Sequence, residues 1–149
     1  MTNRVPHSAE SHSRRLLRVK DTIDRDFVQP WSVAELAAIA LLSPTHFRRR
    51  FIALFGLPPL RYLQRRRIER AQDLLLGTDL EVTEIAGRVG YDSLGTFTRI
   101  FTELVGDSPG RYRAGRGPAA APGCFVRSRI PSRGPGRFGE AAPEPTRLA

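Results

Sequence analysis

The stretch FRRRFIALFGLPPLRY at residues 47–62 returns, altered but in register, as FTRIFTELVGDSPGRY at residues 97–112. Shifted by 50 positions, Phe47 meets Phe97, Arg49 meets Arg99, Phe51 meets Phe101 and Leu54 meets Leu104. The match continues with Gly56 on Gly106, Pro59 on Pro109, Arg61 on Arg111 and Tyr62 on Tyr112. Eight identities in sixteen positions, chain breakers included, mean that one structural unit occurs twice. Upstream the register slips by one residue, aligning Leu36 and Ala37 with Ile85 and Ala86, and Leu42 with Tyr91.

Around both copies the apolar residues recur at helical spacing, and breakers cut the pattern into helix-length segments. A first helix is expected over 15–27, with Leu16, Val19, Ile23 and Phe27 inward, ended by Pro30. Ser32 with Glu35 three positions later is a capping-box pattern, in which each side chain satisfies a free backbone N–H, so a short helix follows over 33–40. Ser43 and Pro44 open the next, which Gly56 stops. A long helix is expected over 59–76, closed by Gly77, with Leu60, Leu63, Ala71, Leu74 and Leu75 apolar. A short helix covers 82–89, another runs from Asp92 or Ser93 to near Gly106, and a last turn or two from Ser108 reaches residue 113. No segment has the alternation of a strand.

The pattern predicts an all-α fold of two helix-turn-helix subdomains, each a homeodomain-like three-helix unit, joined by a long linker helix. A small residue in the first helix of each pair, Ala37 or Ala86, lets the second helix cross closely. Gly90 supplies the positive-φ residue a tight turn needs, whereas the first copy has Leu41 there. The units are expected at 15–57 and 78–113, with the linker at 59–76. A polar stretch over 1–14 and a Gly-, Pro- and Arg-rich tail over 114–149 read as disordered, although Phe125, Val126 and Ile130 could dock on the core.

Period also separates two faces on the second helix of each pair, the element that such folds present to the major groove. Phe47, Phe51, Leu54 and Phe55 are expected inward in the first copy, leaving Thr45, Arg48, Arg49 and Ile52 outward. In the second, Phe97, Phe101, Leu104 and Val105 face in, while Gly95, Thr96, Arg99 and Thr102 face out and Leu94 sits at the tip. An outward arginine can donate two hydrogen bonds to guanine O6 and N7, which discriminates by about 1–3 kcal/mol, and the threonines can meet thymine methyls or phosphates. At about 1.5 Å per residue the linker spans about 27 Å, near the repeat of B-DNA, so the two readers can occupy successive major grooves.

The chain has 149 residues, 24 basic against 15 acidic, and a formal net charge of +9; Lys20 is its one lysine. That balance favours a polyanionic partner, although arginine can also accumulate through genome composition. The one cysteine, Cys124, rules out an internal disulfide framework, a multi-cysteine zinc site and a cysteine-based DNA-repair methyltransferase. His7, His12 and His46 lack ligand spacing, and no Gly-rich phosphate loop, HExxH or G-x-S-x-G is present. The expectation is therefore no enzyme, no cofactor and no metal, in a cytoplasmic, nucleoid-associated protein without a signal or membrane span.

LAAIALLSPTHFRRRF, YLQRRRIERAQDLLLGTDLEVTEIAGRVGY and FTRIFTELVGDSPGRYR together resemble the AraC/XylS family of bacterial transcription regulators, over residues 31–113. The resemblance implies base contacts from the third and sixth helices, which by position fall on Thr45, Arg48 and Arg49, then on Leu94, Gly95, Thr96 and Arg99. Phosphate contacts are assigned to Arg50, Arg61, Arg65, Arg66 and Arg111. For Arg50 an acidic neighbour is the other option, and for Arg65, Arg66, Arg67 and Arg70 a plain solvated surface serves equally well. Pro58 departs from the family pattern, which has a capping serine there. Only about 30 residues precede the stretch that carries the resemblance, so the expectation is a short form without a sensor domain or small-molecule effector. It would bind double-stranded DNA as a monomer and activate transcription through RNA polymerase. The alternative is a helical protein-interaction module, an anti-activator or truncated regulator with only non-specific DNA affinity.

Overall fold

A computed structural model describes residues 7–115, and their side chains from residue 12 onward. The expectations for the tail, for Cys124 and for docking by Phe125, Val126 and Ile130 lie outside the described residues. Seven helices follow one another among the described residues: α1 (His7–Arg25), α2 (Val33–Ile39), α3 (Pro44–Phe55), α4 (Pro59–Gly77), α5 (Val82–Arg88), α6 (Leu94–Val105) and α7 (Pro109–Ala114). The local signals set most of the ends. Ser32 and Glu35 form the full capping box. The hydroxyls of Ser43, Ser93 and Ser108 accept from the backbone N–H of His46, Thr96 and Arg111, each at 3.3 Å. Gly56 and Gly106 end α3 and α6 in the left-handed region, at φ 80° and 91°.

Two apolar cores result. The first gathers Leu16, Val19 and Ile23 of α1, Leu36 and Ala37 of α2, Phe47 and Phe51 of α3, and Tyr62 and Leu63 from the start of α4. The second gathers Ile68, Ala71 and Leu75 from the rest of α4, Ile85 and Ala86 of α5, Phe97, Ile100 and Phe101 of α6, and Tyr112 of α7. The linker is thus a shared wall: successive turns of one 19-residue helix serve different cores. Its length of about 28 Å, at 1.5 Å per residue, sets the distance between them.

The two turns are built alike despite their different residues. In the first, Leu42 N–H reaches Ala37 O at 3.1 Å; in the second, Tyr91 N–H reaches Ala86 O at 2.9 Å. This is the bond by which a left-handed residue closes a helix end. Gly90 takes that conformation at φ 94°, and Leu41 takes it too, at φ 55°, as the one non-glycine to do so among the described residues. Its side chain is 71% exposed, so packing does not force it there. The hydrogen bonds and the helix crossing impose the conformation, at a cost of about 1–2 kcal/mol for an L-residue.

Three expectations need correction. Helix α1 begins at His7, not at residue 15, so residues 7–14 are helical where the sequence reading had disorder. Apolar periodicity cannot register a helix that projects beyond its core, and Ser13 and Arg14 are exposed. The helix also ends at Arg25, before Phe27, which stands outside it and packs against both cores. Leu54, expected on the inward face of α3, is 46% exposed. The space beside Phe51 is taken instead by the rings of Phe55 and Tyr62, at 4.5 Å and 5.8 Å between centroids. Ile100, which the sequence reading did not single out, is buried.

Candidate nucleic-acid interface

With Phe47 and Phe51 fully buried, helix geometry turns the opposite side of α3 to solvent. Thr45, Arg48, Arg49 and Ile52 are all exposed, and so is Arg50. Among the described residues the side chains of Arg48 and Arg49 make no ion pair or hydrogen bond, so their donors are uncommitted. The acidic neighbour considered for Arg50 does not appear: its Nε donates to His46 Nε2 at 3.3 Å. The start of α3 therefore carries three adjacent guanidinium groups and a threonine, with no carboxylate in its first turn.

The corresponding helix of the second copy, α6, is different in character. Phe97 and Phe101 are buried as their counterparts are, leaving Leu94, Gly95, Thr96, Arg99 and Thr102 exposed. Leu94 projects an apolar side chain, 43% exposed, from the first turn. Arg99 lies 3.9 Å from Glu103, a loose pair on an open surface. Glu103 is held more firmly by Arg61, across from the first turn of α4, and this hydrogen bond keeps its carboxyl below the usual carboxylate range. One helix offers charge and donors; the other offers a methyl-rich tip, a bare backbone position and a single arginine.

The five arginines assigned to phosphates fall into distinct settings. Arg50 is described above. Arg111 is 82% exposed and approaches Asp107 at 3.5 Å, while Arg61 shares Glu103 and Gln64. Such surface pairs contribute about 0–1 kcal/mol, so exchanging the carboxylate for a phosphate costs little. Arg65 is half-buried and partnered within the fold. Arg66 is committed inward: Nε lies 2.8 Å from Asp24 and Nη1 2.6 Å from Glu69. Asp24 also accepts from Tyr62 Oη at 2.7 Å and from Lys20 Nζ at 2.8 Å, tying α1 to α4. Burial first, and this hydrogen bond second, raise the Tyr62 hydroxyl well above the usual phenol range. Tyr62 is thus a packing residue with a polar tip, and Tyr112 packs likewise in the second core, 5.6 Å from Phe101 between ring centroids.

The sequence offers a phosphate contact or a solvated surface for Arg67, whereas the structure half-buries it against backbone carbonyls. It appears in a run of three arginines, yet Arg67 alone turns toward the exit of α1, donating from Nε to Phe27 O at 2.7 Å and from Nη2 to Gln29 O at 2.8 Å. No local pattern marks it, because its partners are backbone carbonyls about 40 positions away. Among the described residues no cluster of His, Cys, Asp or Glu could hold a metal, and no helix is long and apolar enough to cross a membrane.

Comparison with known proteins agrees with this architecture. Residues 36–115 match the family model described as a helix-turn-helix domain. The uncharacterized HTH-type transcriptional regulator YfiF of Bacillus subtilis (strain 168) is 34% identical over 102 residues, 68% of this chain and 32% of that protein. HTH-type transcriptional regulator Rv1931c of Mycobacterium tuberculosis is 42% identical over 81 residues, 54% of this chain and 31% of that one. The chain thus spans about a third of the length of these curated relatives. Among solved structures, the DNA-binding domain of AdpA, a global transcriptional factor in complex with a target DNA, superposes with a TM-score of 0.65 at 37% identity, covering 68% of this chain and 91% of that one. The duplicated helix pair, the shared wall of α4 and these matches together place the chain in the helix-turn-helix family of AraC/XylS-type transcriptional regulators.

Proposed function

We propose that this chain binds double-stranded DNA sequence-specifically, laying α3 and α6 into successive major grooves on one side of the duplex. The observation that carries the reading is the start of α3, where Arg48 and Arg49 stand exposed with uncommitted donors over a helix anchored by two buried phenylalanines. Thr45, Arg48 and Arg49 read bases in the first groove, and Leu94, Gly95, Thr96 and Arg99 in the second. Arg50, Arg61, Arg65 and Arg111 supply phosphate contacts; Arg66, held by Asp24 and Glu69, orients α4 and reaches a phosphate only at the cost of that network. The functional unit comprises residues 15–113, acting as a cytoplasmic monomer on DNA and raising transcription by touching RNA polymerase.

Selection of duplexes from a random pool, followed by binding at graded salt, tests this. Affinity for the selected duplex should fall with a log–log slope of about −0.9 per phosphate neutralised, and a sequence-dependent part should persist above it. Arg49→Ala should weaken the selected duplex by about 1–3 kcal/mol while sparing unrelated DNA. A uniform loss on every sequence would make Arg49 a phosphate contact. Weak, sequence-blind retention by the unaltered protein would favour the protein-interaction reading instead.

A further inference from the structure

The midpoint of α4, the α1–α2 connection and the turn of the second helix pair meet at one place. The Arg67 guanidinium donates to Phe27 O at 2.7 Å and Gln29 O at 2.8 Å, with Val28 O at 3.4 Å. Its carbon lies 5.4 Å from the centroid of the Tyr91 ring. Gly90, next in the chain, fits so closely that a Cβ there would sit 2.8 Å from Val28 O and 3.0 Å from Arg67. Phe27 packs against both cores from the same connection. Only a planar fork with several donors can satisfy carbonyls of three successive residues while its face rests on an aromatic ring.

A linker helix alone fixes the distance between two lobes but not their relative rotation, because helices bend. Rotation is fixed by a second connection away from the helix axis, and the Arg67 joint is such a connection. It links backbone that leaves the first lobe to the turn that precedes α6 in the second. Among the described residues no carboxylate pairs with Arg67, and burial pulls its pKa below the usual guanidinium value. A half-buried cation compensated by carbonyls is a costly way to gain cohesion, and an apolar residue would pack there more cheaply. What the guanidinium adds is direction.

Resting on the two-groove reading above, we propose that Arg67 is a positioning residue: it fixes the rotation of α6 relative to α3 and so dictates which spacing between the two DNA segments the protein accepts. It touches no base in doing so. The test compares the unaltered protein, Arg67→Met and Arg67→Lys on duplexes in which one or two base pairs are added or removed between the two selected segments. The unaltered protein should lose about tenfold or more in affinity per altered step, since each base pair moves the second segment by about 34° and 3.4 Å. Arg67→Met, which keeps an apolar stem without donors, should accept the altered spacings within about threefold; Arg67→Lys, a point donor, should fall between. Retention of the full spacing preference by Arg67→Met overturns the proposal.

A second measurement does not use DNA. Spin labels at Ala38 and Thr83, exposed on α2 and α5, in a Cys124→Ser background, report the distance between lobes. A narrow distribution that broadens in Arg67→Met, or in Arg67→Lys should the methionine variant fail to fold, supports the joint; equal widths overturn it. If the unaltered protein shows no spacing preference while the distances still broaden, the two-groove reading fails, and the recognition role of Arg67 with it.

Discussion

Replacing Phe51 with alanine is expected to cost about 3–5 kcal/mol and to unfold the first lobe. Phe51 is fully buried at the centre of an aromatic stack, 5.6 Å from Phe47, 4.5 Å from Phe55 and 5.8 Å from Tyr62 between centroids. Few other large side chains in this core could relax into the space, since Leu54 on the same helix lies outward. A lobe of about 50 residues has only a few kcal/mol of net stability, so the loss matches the whole. Amide hydrogen exchange provides the check: protection across α2 and α3 should collapse, while the amides of α6, whose core is built around Phe97 and Phe101, remain slow. Persistent protection of α3 would mean that the stack contributes far less than its burial implies.

Gly90→Ala should destabilise by about 2–4 kcal/mol, although it adds one methyl group. Two causes combine. An L-residue at φ 94° is strained, and the new carbon would stand 2.8 Å from a backbone carbonyl and 3.0 Å from a guanidinium that three carbonyls hold in place. Gly56→Ala separates these causes, because Gly56 has a similar φ of 80° with nothing within 4 Å of a Cβ. It should lose only about 1–2 kcal/mol, the conformational part. Urea denaturation of the two variants side by side measures the difference; equal losses would show that the second turn has room the structure denies it.

The contrast between these turns explains what was legible in the sequence. Repetition, serine caps and glycine stops are local signals, and they located α2 through α7 within a residue or two. The outward set Thr45, Arg48 and Arg49 followed from the same period, because buried phenylalanines four apart leave only one orientation for their helix. What stayed hidden is long-range or lies beyond the core. The first turns of α1 carry no apolar stripe and so looked unstructured. Leu54 has the right spacing for burial, but the rings of Phe55 and Tyr62 take the volume beside Phe51. Arg65, Arg66 and Arg67 are identical letters with three different environments, and no pattern within ten residues distinguishes the one that braces the lobes. Leu41 shows the opposite case: an apparent misfit to the turn is accommodated, with the hydrogen bonds of the glycine turn reproduced around a strained leucine.

The proposed reading implies a division of labour between α3 and α6 that follows from their surfaces. An arginine-rich first helix suits guanine edges, whereas Leu94, Gly95 and Thr96 suit the methyl-lined edge of A·T pairs. The two DNA segments should accordingly differ in sequence and not be repeats of one another, even though the protein units are duplicates. Thr45, His46 and Arg48 stand opposite Gly95, Thr96 and Thr98, while the buried phenylalanines and the serine and glycine caps of α3 and α6 are the same.

Hydroxyl-radical footprinting of the full chain on its selected duplex is the most direct measurement of the central claim. Two protected windows on one face, with centres about 10 base pairs apart, are predicted from one monomer's two helices lying in neighbouring major grooves. A single short window, or protection on opposite faces of the duplex, would contradict it.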